Sequence, residues 1–261
     1  MLSAFFDETG VHAGSPVTAI AGFLGSADAF KEVEPLWLAA LKSEGLEHFH
    51  YAAIEHRKPP FEHCDEHVRA RLYSKLADIL LGAAPALKVV GAGYQGVWDT
   101  SQLAPAFGAR YPTPYSFCFD TVIEMLHAHA ETELGGEQIV PIFARQEQFG
   151  PRAVEMYGVF KATGSWPLMG AIGFDEPKEQ PALQMADMVL YESYQVIKRN
   201  DRVEWTKWPL LSRLWKDDET YKRCVQFLIA HNAASLRRAV ERGPVPWGPG
   251  YRAPEEPWET L

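Results

Sequence analysis

Hydrophobic and polar positions along the chain switch repeatedly between a two-residue and a 3.6-residue period. Leu2 to Asp7 and Pro16 to Gly25 predict two strands joined by a Gly-containing turn, with Val17, Thr18, Ile20 and Phe23 supplying β-favouring positions. A helix follows, capped at Ala27 or Asp28 and running to about Lys42; Phe30, Val33, Leu36, Leu38 and Leu41 form its apolar face, and Gly45 stops it. His48 to Tyr51 predicts a short strand, and a polar loop with Pro59 and Pro60 leads into a helix from Asp65 to Leu81 with Val68, Leu72, Leu76 and Ile79 on one face.

The pattern then alternates between strands at Leu87–Tyr94, Gln138–Phe143 and Leu168–Phe174 and helices at Tyr115–Glu131, Pro151–Lys161, Leu183–Lys198 and Cys224–Val240. Val225, Leu228, Ile229, Leu236 and Val240 are expected to face inward on the last helix. Beyond Gly243, the prolines at 244, 246, 249, 254 and 257 predict an extended tail, so residues 1–242 are expected to form one domain and 243–261 an appendage. The expected fold class is α/β, a mixed sheet opened by an antiparallel hairpin and flanked by helices. An acid closing the first strand and another on a late helix give it the layout of ribonuclease H-like folds, an analogy of arrangement that does not establish activity.

Composition narrows the function classes. With 47% hydrophobic residues in 261 the chain can bury a full core, and its net charge of −9 gives no long-range attraction to a polyanion. Between Lys198 and Arg242, however, eleven basic residues stand against six acidic ones, which leaves room for a local basic face. Cys64, Cys118 and Cys224 have no zinc or disulfide spacing and fit a reducing cytoplasm. No secretory leader is expected before Asp7, and the glycines between Thr9 and Ala27 break the longest uncharged stretch, so no membrane role is expected.

The candidate chemistry lies in two acids with apolar neighbours. An ionised carboxylate taken out of water costs several kcal/mol unless hydrogen bonds, a cation or a metal compensate it. Asp7 and Glu8 follow Leu2-Ser3-Ala4-Phe5-Phe6, and only one of them can face a given site because strand residues alternate; Asp7 is the candidate, the alternative being a polar turn begun by Asp-Glu-Thr-Gly. Gln184 and Asp187 share a helix face in the otherwise apolar stretch Leu183–Leu190, either stapling a loop or holding something charged. Asp175, just after Phe174, is expected to approach them. Three oxygen ligands of this kind suit Mg²⁺ or Mn²⁺, which activate water and stabilise the leaving oxygen of a phosphodiester.

Other features compete with that site. His48, His50, His56, His63 and His67 match no metal-ligand spacing and predict a solvated loop, with His50 alone placed to line a site. Trp205, Trp208 and Trp215 alternate with Lys207, Arg213 and Lys216, either as a base-stacking surface or as core anchors.

Two motifs resemble a known family, the domain-of-unknown-function family 3800, widespread in bacteria and phages and regarded as ribonuclease H-like. Its opening Asp-Glu-Ser-like motif is matched by Asp7-Glu8-Thr9, and its late Leu-Gln-x-Ala-Asp motif by Leu183-Gln184-Met185-Ala186-Asp187. Phe49-His50-Tyr51 with Pro60-Phe61, and Ile142 to Phe149, are similar to its middle and later segments. The resemblance covers about residues 2–240. Two departures stand out: Ala144 and Ala53 occupy positions where many relatives have an acid, and Asp175 or Glu147 is a candidate to compensate.

The resemblance implies a metal-dependent nuclease with Asp7, Asp187 and Gln184 as catalytic residues. Asp7, Asp187 and Asp175 would be ligands to Mg²⁺ or Mn²⁺, and Glu8, Thr9, His50 and Glu147 would line the site. Nucleic acid is the expected partner, and a homodimer is compatible with the composition. The alternative is a weak or inactive member that binds or scaffolds in a phage, mobile-element or defence setting; a third reading is a hydrolase of a small phosphorylated compound.

Overall fold

The computed structural model describes residues 1–10, 12, 14–99, 101, 105–145, 150–199, 207–232 and 234–236. β1 (Leu2–Thr9) and β2 (Val17–Ser26) form the opening hairpin. Its turn needs Gly10, whose φ of 71° lies in the left-handed region and whose carbonyl accepts from Thr18 Oγ1 at 2.9 Å. α1 (Ala27–Ser43) starts from Ser26, whose hydroxyl accepts from Ala29 N; the cap is thus Ser26 and not Ala27, which has no side-chain acceptor, or Asp28, which already lies in the first turn. α2 (Tyr51–Glu55), α3 (Glu66–Gly82, capped by Asp65) and β3 (Leu87–Gln95) complete the first half.

The second half holds α4 (Pro105–Arg110), α5 (Pro114–Thr132), β4 (Ile139–Ala144), α6 (Gly150–Ala162), β5 (Gly173–Asp175), α7 (Pro181–Arg199), α8 (Leu211–Leu214), α9 (Asp218–Cys224) and β6 (Val225–Asn232). Among the described residues, six strands form one mixed sheet in the order β5-β4-β1-β2-β3-β6. β1, β2 and β3 run antiparallel in turn, while the β1–β4, β4–β5 and β3–β6 pairs are parallel.

Both faces of the sheet are buried. Phe5, Ala21, Phe23 and Val89 pack with α1, α3 and α7 on one face; Phe6, Ile20, Leu24 and Val90 pack with α5 and α6 on the other. This two-sided burial explains β2, in which nine of ten residues are buried and no polar alternation survives.

Three expected elements differ. His48 to Tyr51 is not a strand: Phe49 N donates to Gln184 Oε1 and Tyr51 N to Asp187 Oδ2, so these amides are spent on side chains and the chain turns into α2. Leu168–Phe174 pairs as a strand only over Gly173–Asp175, with an isolated bridge at Met169. Ile139 exchanges both backbone groups with Leu168 and Gly170, and Pro141, two residues on along the same edge, has no N–H to continue the ladder.

The largest difference is at the C-terminal end. Cys224 to Val240 was expected to be one helix, but Val225–Asn232 is β6, paired in parallel with β3, and the short helix α9 precedes it. A continuous apolar run has no period of its own, and the open edge of β3 decides its conformation. Residues 237–240, the boundary at 242 and the 243–261 tail lie outside the described residues. No helix among the described residues is long and apolar enough to cross a membrane.

The hairpin that carries Asp7 is packed against its own backbone at Gly22, where a Cβ would lie 1.7 Å from the Phe5 carbonyl oxygen. Gly22→Ala is therefore expected to lower stability by about 2 kcal/mol or more, read from the midpoint of urea unfolding.

Candidate metal centre

α7 is the spine of the site. Its residues from Ala182 to Ala186 and from Met188 to Leu190 are buried, yet it keeps Gln184, Asp187 and Glu192. Gln184 and Asp187 share the 49–51 segment as a source of backbone partners, and Glu192 draws on residues 210 and 211. Gln184, 1% exposed, accepts from Trp37 Nε1 at 3.2 Å and Phe49 N at 3.0 Å and donates to Pro177 O at 2.9 Å. Glu192 accepts from Leu210 N at 3.1 Å and Leu211 N at 2.8 Å, which caps α8. Asp187 accepts from Tyr51 N at 2.6 Å, and Tyr51 is itself held between Tyr73 and Tyr191, with ring centroids 4.4 and 4.3 Å away.

Gln184 thus uses its Oε1 and one Nε2–H on protein partners and builds the wall beside Asp187. Asp187 differs, since only Oδ2 receives a backbone donor and the side chain keeps 14% of its surface.

β1 brings Asp7 to the same place. Phe5 packs on the α7 face of the sheet, so Asp7 and Thr9 point to that face and Glu8 points to the other. Asp7 Oδ1 accepts from Glu8 N at 2.8 Å. Among the described residues, nothing donates to Asp7 Oδ2 or Asp187 Oδ1, and neither acid pairs with Lys or Arg. The two acids lie close enough that burial and then the charge of Asp187 raise the pKa of Asp7, while burial raises that of Asp187 against the Tyr51 hydrogen bond.

Glu8 does not join this pair. It is 7% exposed, hydrogen-bonded to Tyr115, and pushed up to about 8 by burial on the opposite face. Asp175 also stays apart. Phe6 is level with Phe143 and Ala144 with Asp175, so continuing the register by one residue sets Asp7, Ala144 and Asp175 in a row across one face. At a strand spacing of about 4.8 Å, the Asp175 Cα lies about 10 Å from that of Asp7. Asp175 Oδ1 instead accepts from Glu176 N at 2.8 Å. The expected three-acid set is therefore a pair, and among the described residues no group of three metal-binding side chains converges.

His50 borders the pair, its Nδ1 3.7 Å from Asp187 Oδ2, and stays mostly neutral because burial, then Lys58, disfavour its charged form. Glu147 lies outside the described residues, as do Gln146, Gln148 and Phe149. Trp208, 9% exposed, and Trp215 pack on the core and act as anchors there; Trp205 lies outside the described residues. Arg213 is likewise engaged by Asp78 and Ser74.

Two buried acids escaped the sequence reading. Glu192 lies five residues beyond Asp187 on α7, and the break it makes in an apolar run was its signal. Asp120, 1% exposed, accepts from Arg110 and from the Tyr111 hydroxyl; both acids are structural anchors. No family model, curated protein or solved structure matches the chain.

These acids set a pH dependence. Asp7 and Asp187 are raised, and Glu8 and Glu192 are pushed up to about 8, so the folded chain holds protons that the unfolded chain has released. Histidines such as His231, pushed down to about 4 by burial, act in the opposite sense only up to their ordinary value of 6.5. Stability without divalent metal is thus expected to fall between about pH 6.5 and 8, and Asp187→Asn to flatten that fall. Thermal midpoints at several pH values check this, and a wild-type curve that rises or stays level across the window contradicts it.

Proposed function

We propose that this chain is a metal-dependent phosphodiesterase of ribonuclease H-like type acting on nucleic acid, belonging with family 3800. The observation that carries the reading is that β1 packs on α7 so that the charge of Asp187 is felt at Asp7, two acids 180 residues apart in sequence, each with one oxygen on a backbone amide. The antiparallel hairpin, the parallel strands beside it and the acid on a late helix support the fold analogy.

The residues present fit a divalent ion of the Mg²⁺ or Mn²⁺ kind. Such ions accept one or two carboxylates, keep several waters and complete their shell with substrate phosphate. Asp7 and Asp187 would hold the ion, which when bound supplies an activated water and charge stabilisation at a phosphodiester. Tyr51 N and Glu8 N fix the two carboxylates by one oxygen each, leaving the other oxygen for the ligand. Gln184 keeps this wall rigid by tying Trp37, Phe49 and Pro177 to one amide. The three buried, free cysteines support a reducing compartment such as the cytoplasm.

Calorimetric titration of Mn²⁺ tests the reading, with binding expected in wild type and lost in Asp187→Asn, together with Mn²⁺-dependent cleavage of an oligonucleotide. Absence of heat in both proteins would favour the second reading, a binding or scaffold protein, which is supported by Ala144 standing where a third acid would complete the row. Cleavage of nucleotides but not oligonucleotides would instead favour a small phosphorylated substrate.

Ala144 offers a test with the opposite sign. It is 3% exposed and lies between Asp7 and Asp175 on the α7 face. Ala144→Asp adds a third carboxylate to the row and is expected to tighten Mn²⁺ binding by about tenfold or more, measured in the same titration. Unchanged affinity in a folded variant would place the ion elsewhere.

A further inference from the structure

A second concave site lies away from the acid pair. A cavity of about 560 Å³ opens between the end of α4 and α6, lined by Arg110, Pro112, Pro151, Glu155, Met156, Val159 and Phe160. Its volume is that of a ligand site, and most of these walls are apolar.

Arg110 is held in one orientation at this cavity. Its Nη2 donates to Asp120 Oδ2 at 2.8 Å and to Glu124 Oε1 at 3.5 Å, and its guanidinium carbon stands 5.0 Å from the centroid of the Phe160 ring and 5.2 Å from that of Tyr111. Among the described residues, Nε and Nη1 have no partner, so the fixed guanidinium keeps donors for a ligand. That ligand is not an anion, because Asp120, Glu124 and Glu155 set three carboxylates against this one cation. A neutral acceptor such as a peptide carbonyl meets the donors without the repulsion.

The chain itself carries a segment of this chemistry. Residues 243–261 hold prolines at 244, 246, 249, 254 and 257, with Trp247 and Trp258 among them. Proline favours the polyproline II helix, which makes no internal hydrogen bonds, leaves its carbonyls free as acceptors and docks in apolar and aromatic grooves at low ordering cost. The segment also begins within reach. Leu236 lies in the same buried cluster as Tyr111, and Met156 and Phe160 pack against that cluster. From Ser235 a line of contacts runs through His231 at 3.4 Å, Phe117 at 5.6 Å and Tyr111 at 5.6 Å to Arg110 at 5.2 Å. Residues 237–249 span up to about 43 Å when extended, which exceeds this path.

We propose that the Pro-rich segment 243–261 of this chain docks in the α4–α6 cavity, with its prolines against Pro112, Pro151, Met156 and Val159 and a backbone carbonyl accepting from Arg110. Trypsin cleavage after Arg252, followed by mass spectrometry at several concentrations of the full chain, tests this. The proteins compared are wild type; Val159→Asp, which puts a charge on the cavity wall at a residue 56% exposed; Val154→Asp, 49% exposed on the same helix and not among the lining residues; and the triple variant Pro244→Ala, Pro246→Ala, Pro249→Ala.

Cleavage is expected to be slower by about fivefold or more in wild type and Val154→Asp than in Val159→Asp and the proline variant, because protection tracks the docked population. The proline variant leaves the described core untouched and keeps the test valid should Val159→Asp fail to fold. Protection that is independent of protein concentration upholds docking of each chain's own segment. Protection that rises with concentration, together with dimers in sedimentation, gives the cavity to a second copy and overturns the proposal as stated. Equal rates in all four proteins overturn it, as does a proline variant as protected as wild type, or a loss in Val154→Asp equal to that in Val159→Asp. The measurement needs no divalent metal, so its outcome is separate from that of the metal reading.

Discussion

The molecule depends on how α7 is buried. A helix sunk between a sheet and two other helices can keep polar side chains only where each finds a partner, because an unpaired buried donor or acceptor costs about 1–3 kcal/mol. Gln184 and Glu192 meet that demand by collecting backbone amides from Phe49, just before α2, and from the start of α8. The loops at 49–51, 177 and 210–211 are thus held by the helix, and the helix is made tolerable by the loops. Asp187 sits between these two anchors and meets only part of the demand, with one backbone bond and one open oxygen.

That half-satisfied acid gains its meaning from β1. The hairpin places Asp7 on the same face, and the strong twofold alternation of a strand sends Glu8 to the opposite core, where Tyr115 takes it up. Neighbouring acids in sequence therefore have unrelated roles. Distant ones, Asp7 and Asp187, share an environment in which each makes the other's ionisation harder. A cation is the simplest species that removes this conflict, which is why the pair supports a metal reading better than either residue does alone.

Ala144 is the feature that keeps this site spare. It occupies the register position between Asp7 and Asp175, and its methyl group closes the wall where a carboxylate would have bridged the gap. What remains is a pair of carboxylates bordered by His50.

Much of the arrangement was legible in the residues themselves. The hairpin, the helices around Phe30, Leu72 and Tyr115, and α7 with its two embedded polar residues follow from periodicity and from Gly, Ser and Pro punctuation, which act over a few residues. The same alternation assigned Asp7 and Glu8 to opposite faces. Sequence could not settle elements whose hydrogen-bond partners lie far along the chain. Val225–Asn232 is a strand because β3 offers an open edge, and His48 to Tyr51 is not one because the Phe49 and Tyr51 amides are taken by Gln184 and Asp187. Likewise only the tertiary structure showed that Gln184 ties three segments together while Asp187 takes a single backbone amide. The local pattern fixes which way a side chain points, whereas its final partners depend on contacts between segments more than a hundred residues apart.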